Sequence, residues 1–330
     1  MNSRGFEYGF ATNRYQTGKT EMPHPHAING HFNSEIRLCL KVPGDAPYHP
    51  CREAFPAGDV PRSTVTHFTD WDQSIVYPNT RRDIRISLPE NLDGDAALLV
   101  CQDGKDYVDS AGAVRAVEVL DSLMHSGEIP PTVGVFVDPG QSDSIPRQRN
   151  VEYDTMDDTY VTFIDDEILP LVEKTVNVTL SRDPAERIAM GISSGGICAF
   201  NMAWQRPESY GKAISHCGSF VNINGGHEFP LMVRNTARKP LKVFLQSGEG
   251  DVNIPMGSWP MANHQMADAL SYAGYDHRFE FGTGGHNRRH GGALFAESLR
   301  WLYKDSGVGR TAEEDEKMQN EILERMRALA

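Results

Sequence analysis

Residues 191–195 read Gly-Ile-Ser-Ser-Gly, a serine with a glycine two positions away on either side. The run 188–190 before it is short and apolar and reads as a buried strand, and 196–204 after it read as a helix. G-x-S-x-G on a strand–turn–helix is the setting of a nucleophile elbow, whose sharp turn lifts the serine Oγ clear of the backbone. The glycines suit it, because a Cβ at Gly191 or Gly195 would collide with the turn or the neighbouring strand. The following helix would aim its amide end at the point where negative charge develops. Outside that context the same five residues are an ordinary turn.

A serine hydroxyl is a poor nucleophile until a base takes its proton, and the base needs a third group to orient it. Two glycine-lined segments downstream offer both. Residues 247–251 are Ser-Gly-Glu-Gly-Asp, after an apolar run at 241–246, and residues 282–286 are Gly-Thr-Gly-Gly-His, after a run at 277–281. Asp251 is the expected acid, with Glu249 an open alternative, and His286 the expected base. His290 stands at a helix start. His216 sits within a strand and reads as a satisfied core histidine, while His264 and His277 read as structural. An oxyanion needs two amide donors. The amide of Ser194 is the first, and the loop 102–107, after the run 96–101, supplies the second near Gly104 or Lys105. Asp103-Gly104 is also a good turn in its own right.

These segments must be presented by a common frame. Residues 63–68 and 83–88 alternate with period two, as half-exposed antiparallel strands do, whereas 96–101 is continuously apolar, as a strand covered on both faces would be. Thereafter strands at 132–137, 188–190, 212–217, 241–246 and 277–281 alternate with helices at 112–126, 155–174, 196–204, 260–272 and 292–303. Such alternation predicts a mostly parallel central sheet with helices on both faces, and ligands bind at the carboxyl ends of its strands. The division expected is an irregular extension over 1–60, a catalytic domain over 61–305 and a helical tail over 306–330. Within the extension only 35–42 alternates like a strand. The histidines at 24, 26 and 31 are interspersed with prolines and lack metal-ligand spacing, so a solvated loop is expected. The tail opens with a capping box, Thr311 to Glu314, and carries a stripe of Met318, Ile322, Met326 and Leu329. That stripe either packs on the body or joins two copies as a homodimer.

The 330 residues suffice to bury a core, and 23% charged with 39% hydrophobic is ordinary for a globular protein. A formal net charge of -13 disfavours nucleic acid and anionic lipid as partners. No apolar run approaches a membrane span, and the N-terminal residues lack the apolar stretch of a secretory signal. Five widely spaced cysteines read as free thiols, so a cytoplasmic location is expected.

With Gln102-Asp103-Gly104, the elbow, Gly248-Glu-Gly-Asp251 and Gly284-Gly-His286 in view, the chain resembles the esterase family of α/β-hydrolases over residues 60–304. That family includes enterochelin, feruloyl and acetylxylan esterases and S-formylglutathione hydrolase. The likeness is nearest to the enterochelin-esterase branch, with its Gln-Asp-Gly turn, Arg-x-x-Glu-Tyr segment and Gly-Gly-His. It implies an α/β-hydrolase fold, Ser193 as nucleophile, His286 as base, Asp251 as acid, and hydrolysis of a small-molecule ester without a metal or organic cofactor. It also implies substrate-facing roles for Arg149 and Glu152. The first 60 residues are too short for the β-rich N-terminal domain of that branch. Arg147, Arg149, Arg288 and Arg289 gather near the expected site and would suit an aromatic or anionic acid; alternatively they answer local carboxylates such as Asp143, Asp157 and Asp158. Trp259 would stack a substrate ring or pack at its helix start. The same residue types would also serve acyl transfer, peptide cleavage or a non-catalytic binding protein.

Overall fold

The computed structural model describes residues 42–304 apart from Asn91 and Asp93. Ten strands are present among them: β1 (Thr64–Trp71), β2 (Arg82–Leu88), β3 (Ala97–Gln102), β4 (Thr132–Val137), β5 (Arg187–Ile192), β6 (Lys212–His216), β7 (Lys242–Gly250), β8 (Asn253–Ile254), β9 (Gly257–Ser258) and β10 (Asp276–Gly285). Eight form one sheet in the order β1-β2-β4-β3-β5-β6-β7-β10, and β8 pairs with β9 as a two-residue hairpin. β2 runs antiparallel to β1 and β4; from β4 onward all pairs are parallel. The mostly parallel sheet expected from the alternation is therefore present, in the α/β-hydrolase fold that the resemblance implies.

The continuous apolar strands are covered on both faces because consecutive side chains point to opposite sides. Leu98 and Val100 enter one core cluster while Leu99 and Cys101 enter the other. The same division separates Val243 and Leu245 from Phe244. Nine helices in the described residues flank the sheet: α1 (Gly104–Val108), α2 (Ala116–His125), α3 (Gln148–Tyr153), α4 (Thr159–Phe163), α5 (Leu169–Val176), α6 (Ser194–Gln205), α7 (Phe229–Asn235), α8 (Trp259–Tyr272) and α9 (Arg288–Tyr303). The cluster on one face is completed by α2 and α9, and that on the other by α4 to α8.

Three departures from the expected elements have physical causes. The helix expected from 112 starts at Ala116, because its N-cap Arg115 adopts φ 55°, a left-handed turn. The helix expected over 155–174 is broken into α4, a π-turn at Ile164–Ile168, and α5. Pro170 lacks an N–H and its ring cannot sit over the carbonyl four residues back, so the widened turn accommodates it. Helices α1, α3 and α7 were not expected; at five to seven residues they are too short to show a helical period.

The winding reverses between β3 and β5. The chain leaves β3 for β4 on one side and returns to β5 on the other, so the loops after β3 and β5 open a crevice at the carboxyl ends of the strands. Residues 42–60 dock on the body: Ala54 is fully buried beside α2, and Ser122 Oγ donates to the Glu53 carbonyl at 2.8 Å. No described helix is long and apolar enough to cross a membrane. The strand expected over 35–42 (Val42 apart), the histidines of 23–31, Cys39, and the tail with its homodimer stripe lie outside the described residues.

Candidate active site

Ser193 caps α6 with φ 60° and ψ -123°, a backbone conformation rarely adopted by a residue with a side chain. The strain is held by neighbours. Ser193 N–H donates to the His216 carbonyl at 2.9 Å, and Ser219 N–H donates to the Ser193 carbonyl at 3.1 Å. The glycines are required by space. A Cβ on Gly191 would lie 2.3 Å from the Gly195 carbonyl oxygen, and one on Gly196 2.8 Å from the His216 carbonyl oxygen. Gly195 is less constrained, with Asp103 Oδ2 at 3.1 Å from its would-be Cβ.

His286 follows β10 and Asp251 follows β7. His286 Nδ1 donates to Asp251 Oδ1 at 2.5 Å, which leaves the lone pair on Nε2; Ser193 Oγ donates to it at 2.9 Å. All three residues are buried. Asp251 is further held by Ser247 Oγ at 2.8 Å and by the Val252 N–H at 2.7 Å. Burial alone would push the Asp251 carboxyl up, but the adjoining imidazole and these donors outweigh it and hold the group below its ordinary value. Glu249 points to solvent, and Asp251 is the carboxylate that meets the imidazole.

Among the described residues, the amides of Ser194 and Gly104 donate to no protein acceptor. The Lys105 amide is different: it donates to Asp138 Oδ1 at 2.7 Å, which corrects its expected place among the oxyanion donors. Gly104 is pressed onto β4, where a Cβ would sit 2.3 Å from the Phe136 carbonyl carbon. Asp103 before it takes φ 57°.

Two substrate-facing expectations are corrected by burial. Glu152 is fully buried and accepts from Arg82 Nη1 at 2.7 Å and Nη2 at 2.9 Å, from Gln148 Nε2 and from the Gly140 N–H. Arg149 is buried too, and grips Asp103 through Nε and Nη2, each at 2.8 Å. It therefore braces the loop that carries Gly104, and it answers a carboxylate other than the three first considered. Arg288 pairs with Asp106 at 2.8 Å, whereas Arg147 and the half-buried Arg289 form no ion pair among the described residues. Trp259 is 3% exposed, presents its edge to the His286 ring at 5.7 Å, and donates Nε1–H to Ser219 Oγ at 3.2 Å. It is packed as part of the wall.

His216 is buried in β6 as expected but not satisfied: among the described residues neither ring nitrogen has a partner, and burial drives its pKa down to about 3. His264 packs against Phe279 and Phe281. Ser219, with Oγ 3.3 Å from Ser193 Oγ, was not singled out from the sequence, although Cys217-Gly-Ser219 follows the carboxyl end of β6. One grouping of metal-ligating types occurs among the described residues, Cys217 with Asp251 and His286, and two of its three members already bond to each other.

A model of the family described as “Putative esterase” matches residues 75–302. The chain belongs to that esterase family. The chain is 24% identical over 220 residues to the iron(III) enterobactin esterase of Dickeya dadantii (strain 3937), covering 62% of this chain but 47% of that one. It thus spans about half the length of this curated relative. Its fold matches the enterobactin esterase of Shigella flexneri with a TM-score of 0.60, 22% identity, and coverage of 77% of this chain and 63% of that one. A ferulic acid esterase matches with TM-score 0.58, 19% identity, and coverage of 73% and 98%. A fluorophosphonate-binding serine hydrolase of Staphylococcus aureus matches with TM-score 0.52, 13% identity, and coverage of 74% and 100%.

Proposed function

We propose that this protein is a serine carboxylic-ester hydrolase acting through an acyl-enzyme, with Ser193, His286 and Asp251 as its triad. The observation that carries the reading is the continuous relay from Ser193 Oγ through both ring nitrogens of His286 to Asp251 Oδ1, at 2.9 and 2.5 Å. Ser193 Oγ attacks the ester carbonyl carbon while its proton passes to His286 Nε2. Asp251 fixes the tautomer and stabilises the imidazolium that forms. The developing oxyanion lies where the unengaged amides of Ser194 and Gly104 can donate to it. Collapse breaks the C–O bond, and the departing alkoxide takes the proton from His286. Water then attacks the acyl-enzyme, giving its proton to the same nitrogen; release of the acid returns that proton to Ser193 Oγ. Ser219, bridging Ser193 and Trp259, limits the positions Oγ can take.

For the substrate, the names of the relatives favour an ester of an aromatic or anionic acid, of the siderophore or feruloyl kind. Arg147 and Arg289, free of ion pairs among the described residues, are the groups that would meet such an acid. The test is hydrolysis of short-chain p-nitrophenyl esters by the protein and by Ser193→Ala. The variant is expected to lose about 10³-fold or more. Absence of hydrolysis by both, with a fluorophosphonate failing to label Ser193, would replace the enzyme by a binding protein. Faster reaction with added alcohols or amines than with water would assign acyl transfer. If Arg147→Ala and Arg289→Ala leave the preference for charged over neutral esters unchanged, the anionic-acid reading fails.

A further inference from the structure

Residues 42–48 lie outside the span matched by the family model, yet they grip the loop that carries His286. Asp45, 2% exposed, is the centre of that grip. Its Oδ1 accepts from the Gly285 N–H at 2.9 Å, and its Oδ2 accepts from Asn287 Nδ2 and the Val42 N–H, each at 2.8 Å. Two of those donors flank His286, one on each side. Tyr48 adds a second hold: its hydroxyl oxygen accepts from the Thr283 N–H at 3.0 Å, and its ring stacks on His290 at 4.0 Å. Thr283 Oγ1 in turn donates to the Gly44 carbonyl at 2.7 Å.

The loop has little means of holding itself. Gly282, Gly284 and Gly285 give it backbone freedom, and β10 is an edge strand whose register with β7 shifts between Gly282 and Gly285. The ladder therefore loosens just before the histidine. No basic side chain pairs with Asp45 among the described residues, so its buried carboxylate depends on these N–H donors.

We infer that Asp45 is a positioning residue for His286, and that residues 42–48 are a clamp contributed to the active site by chain outside the family's matched region. The inference rests on His286 being the base. By fixing the backbone just before the histidine and the side chain of the residue just after it, the clamp holds the imidazole at hydrogen-bonding distance from Ser193 and Asp251 together. A displacement of roughly 1 Å at such a site costs on the order of 10²-fold in rate.

Asp45→Asn tests this in the full chain, because an amide would turn an NH₂ toward at least one of the donors now satisfied. Measured beside it are Tyr48→Phe, the unfolding midpoint, kcat and KM on p-nitrophenyl acetate, the rate of fluorophosphonate labelling, and the downfield proton resonance of the His286–Asp251 hydrogen bond. Asp45→Asn is expected to lower kcat by about 10- to 100-fold with KM little changed, to slow labelling in proportion, and to broaden that resonance while the protein stays folded. Tyr48→Phe is expected to lower kcat a few-fold, and decides the matter if Asp45→Asn does not fold. Wild-type kcat in the folded variants, with an active wild type, overturns the clamp alone. A wild type that neither hydrolyses nor labels removes the triad reading, and the clamp's purpose with it.

Discussion

Ser193 and His286 each follow a parallel strand of the same sheet, but they are held in different ways. The serine segment is central: β5 lies between β3 and β6, every residue of the strand is buried, and the turn is packed by its own glycines. The histidine segment is peripheral. It follows the edge strand β10, carries three glycines, and is fixed by residues about 240 positions earlier in the chain. A nucleophile that must occupy a strained conformation needs close packing to over-determine it. A base that need only meet two hydrogen-bonding partners can be held by a few directional bonds, at the risk that losing them frees it.

Adding one methyl group to each region would test that contrast most directly. In Gly191→Ala the new Cβ meets backbone at 2.3 Å, which cannot yield without opening the elbow. It is expected to destabilise the fold by about 3 kcal/mol or more and to abolish labelling of Ser193. In Gly284→Ala the Cβ meets His290 Cβ and Tyr48 Cε2 at 3.2 Å and Asp45 Oδ1 at 3.3 Å, a crowding far milder than that at Gly191. A cost of about 1 kcal/mol and a few-fold loss of kcat are expected. Equal losses in denaturant unfolding and turnover would erase the distinction.

A smaller effect on turnover, though not on stability, is expected behind the elbow. Glu152→Gln leaves Arg82 buried without its charge partner, and should cost about 3–5 kcal/mol of unfolding free energy. Where the variant remains folded, kcat on short esters should stay within about twofold, since the side chain is fully buried away from the reacting groups. A selective rise in KM for charged esters would restore the substrate-facing role.

The effect with the least bearing on turnover is electrostatic. Asp154, at the end of α3, has its carboxyl pushed up to about 6 by burial, only partly offset by Arg149, Asn150 and Ser194. The folded state therefore binds this proton more tightly than the unfolded chain. Between about pH 4 and 6 stability falls as pH rises, and above that the whole penalty is present. Asp154→Asn should gain on the order of 1–3 kcal/mol over the wild type at pH 8 and nothing at pH 3.5. Parallel stability–pH curves for the two proteins would refute it. His216, pushed down to about 3, acts in the opposite sense: its unfolded form takes up a proton first, so stability falls as pH drops below about 6.5.

Much of the site's layout was legible because its parts are local. The elbow is written in consecutive residues, and the short strand-like runs before Ser193, Asp251 and His286 identify strand ends without knowledge of how the strands pair. The substrate-facing roles of Arg149 and Glu152 come from the resemblance to the enterochelin-esterase branch, and only packing reveals that both are sealed, one against Asp103 and the other against Arg82. The Lys105 amide was an equally good candidate until Asp138 was seen to occupy it.

Sequence alone thus determined the turn that carries Ser193, the parallel frame and the order in which Asp251 and His286, the proposed acid and base, follow. Those depend on periodicity, glycine sterics and strand-end position, which short stretches carry in themselves. Tertiary structure alone decided which carboxylate meets His286, which amides stay free, and that Asp45 closes around the histidine loop. Each of these depends on distances between groups far apart along the chain, and such distances are set by the packing of the whole sheet.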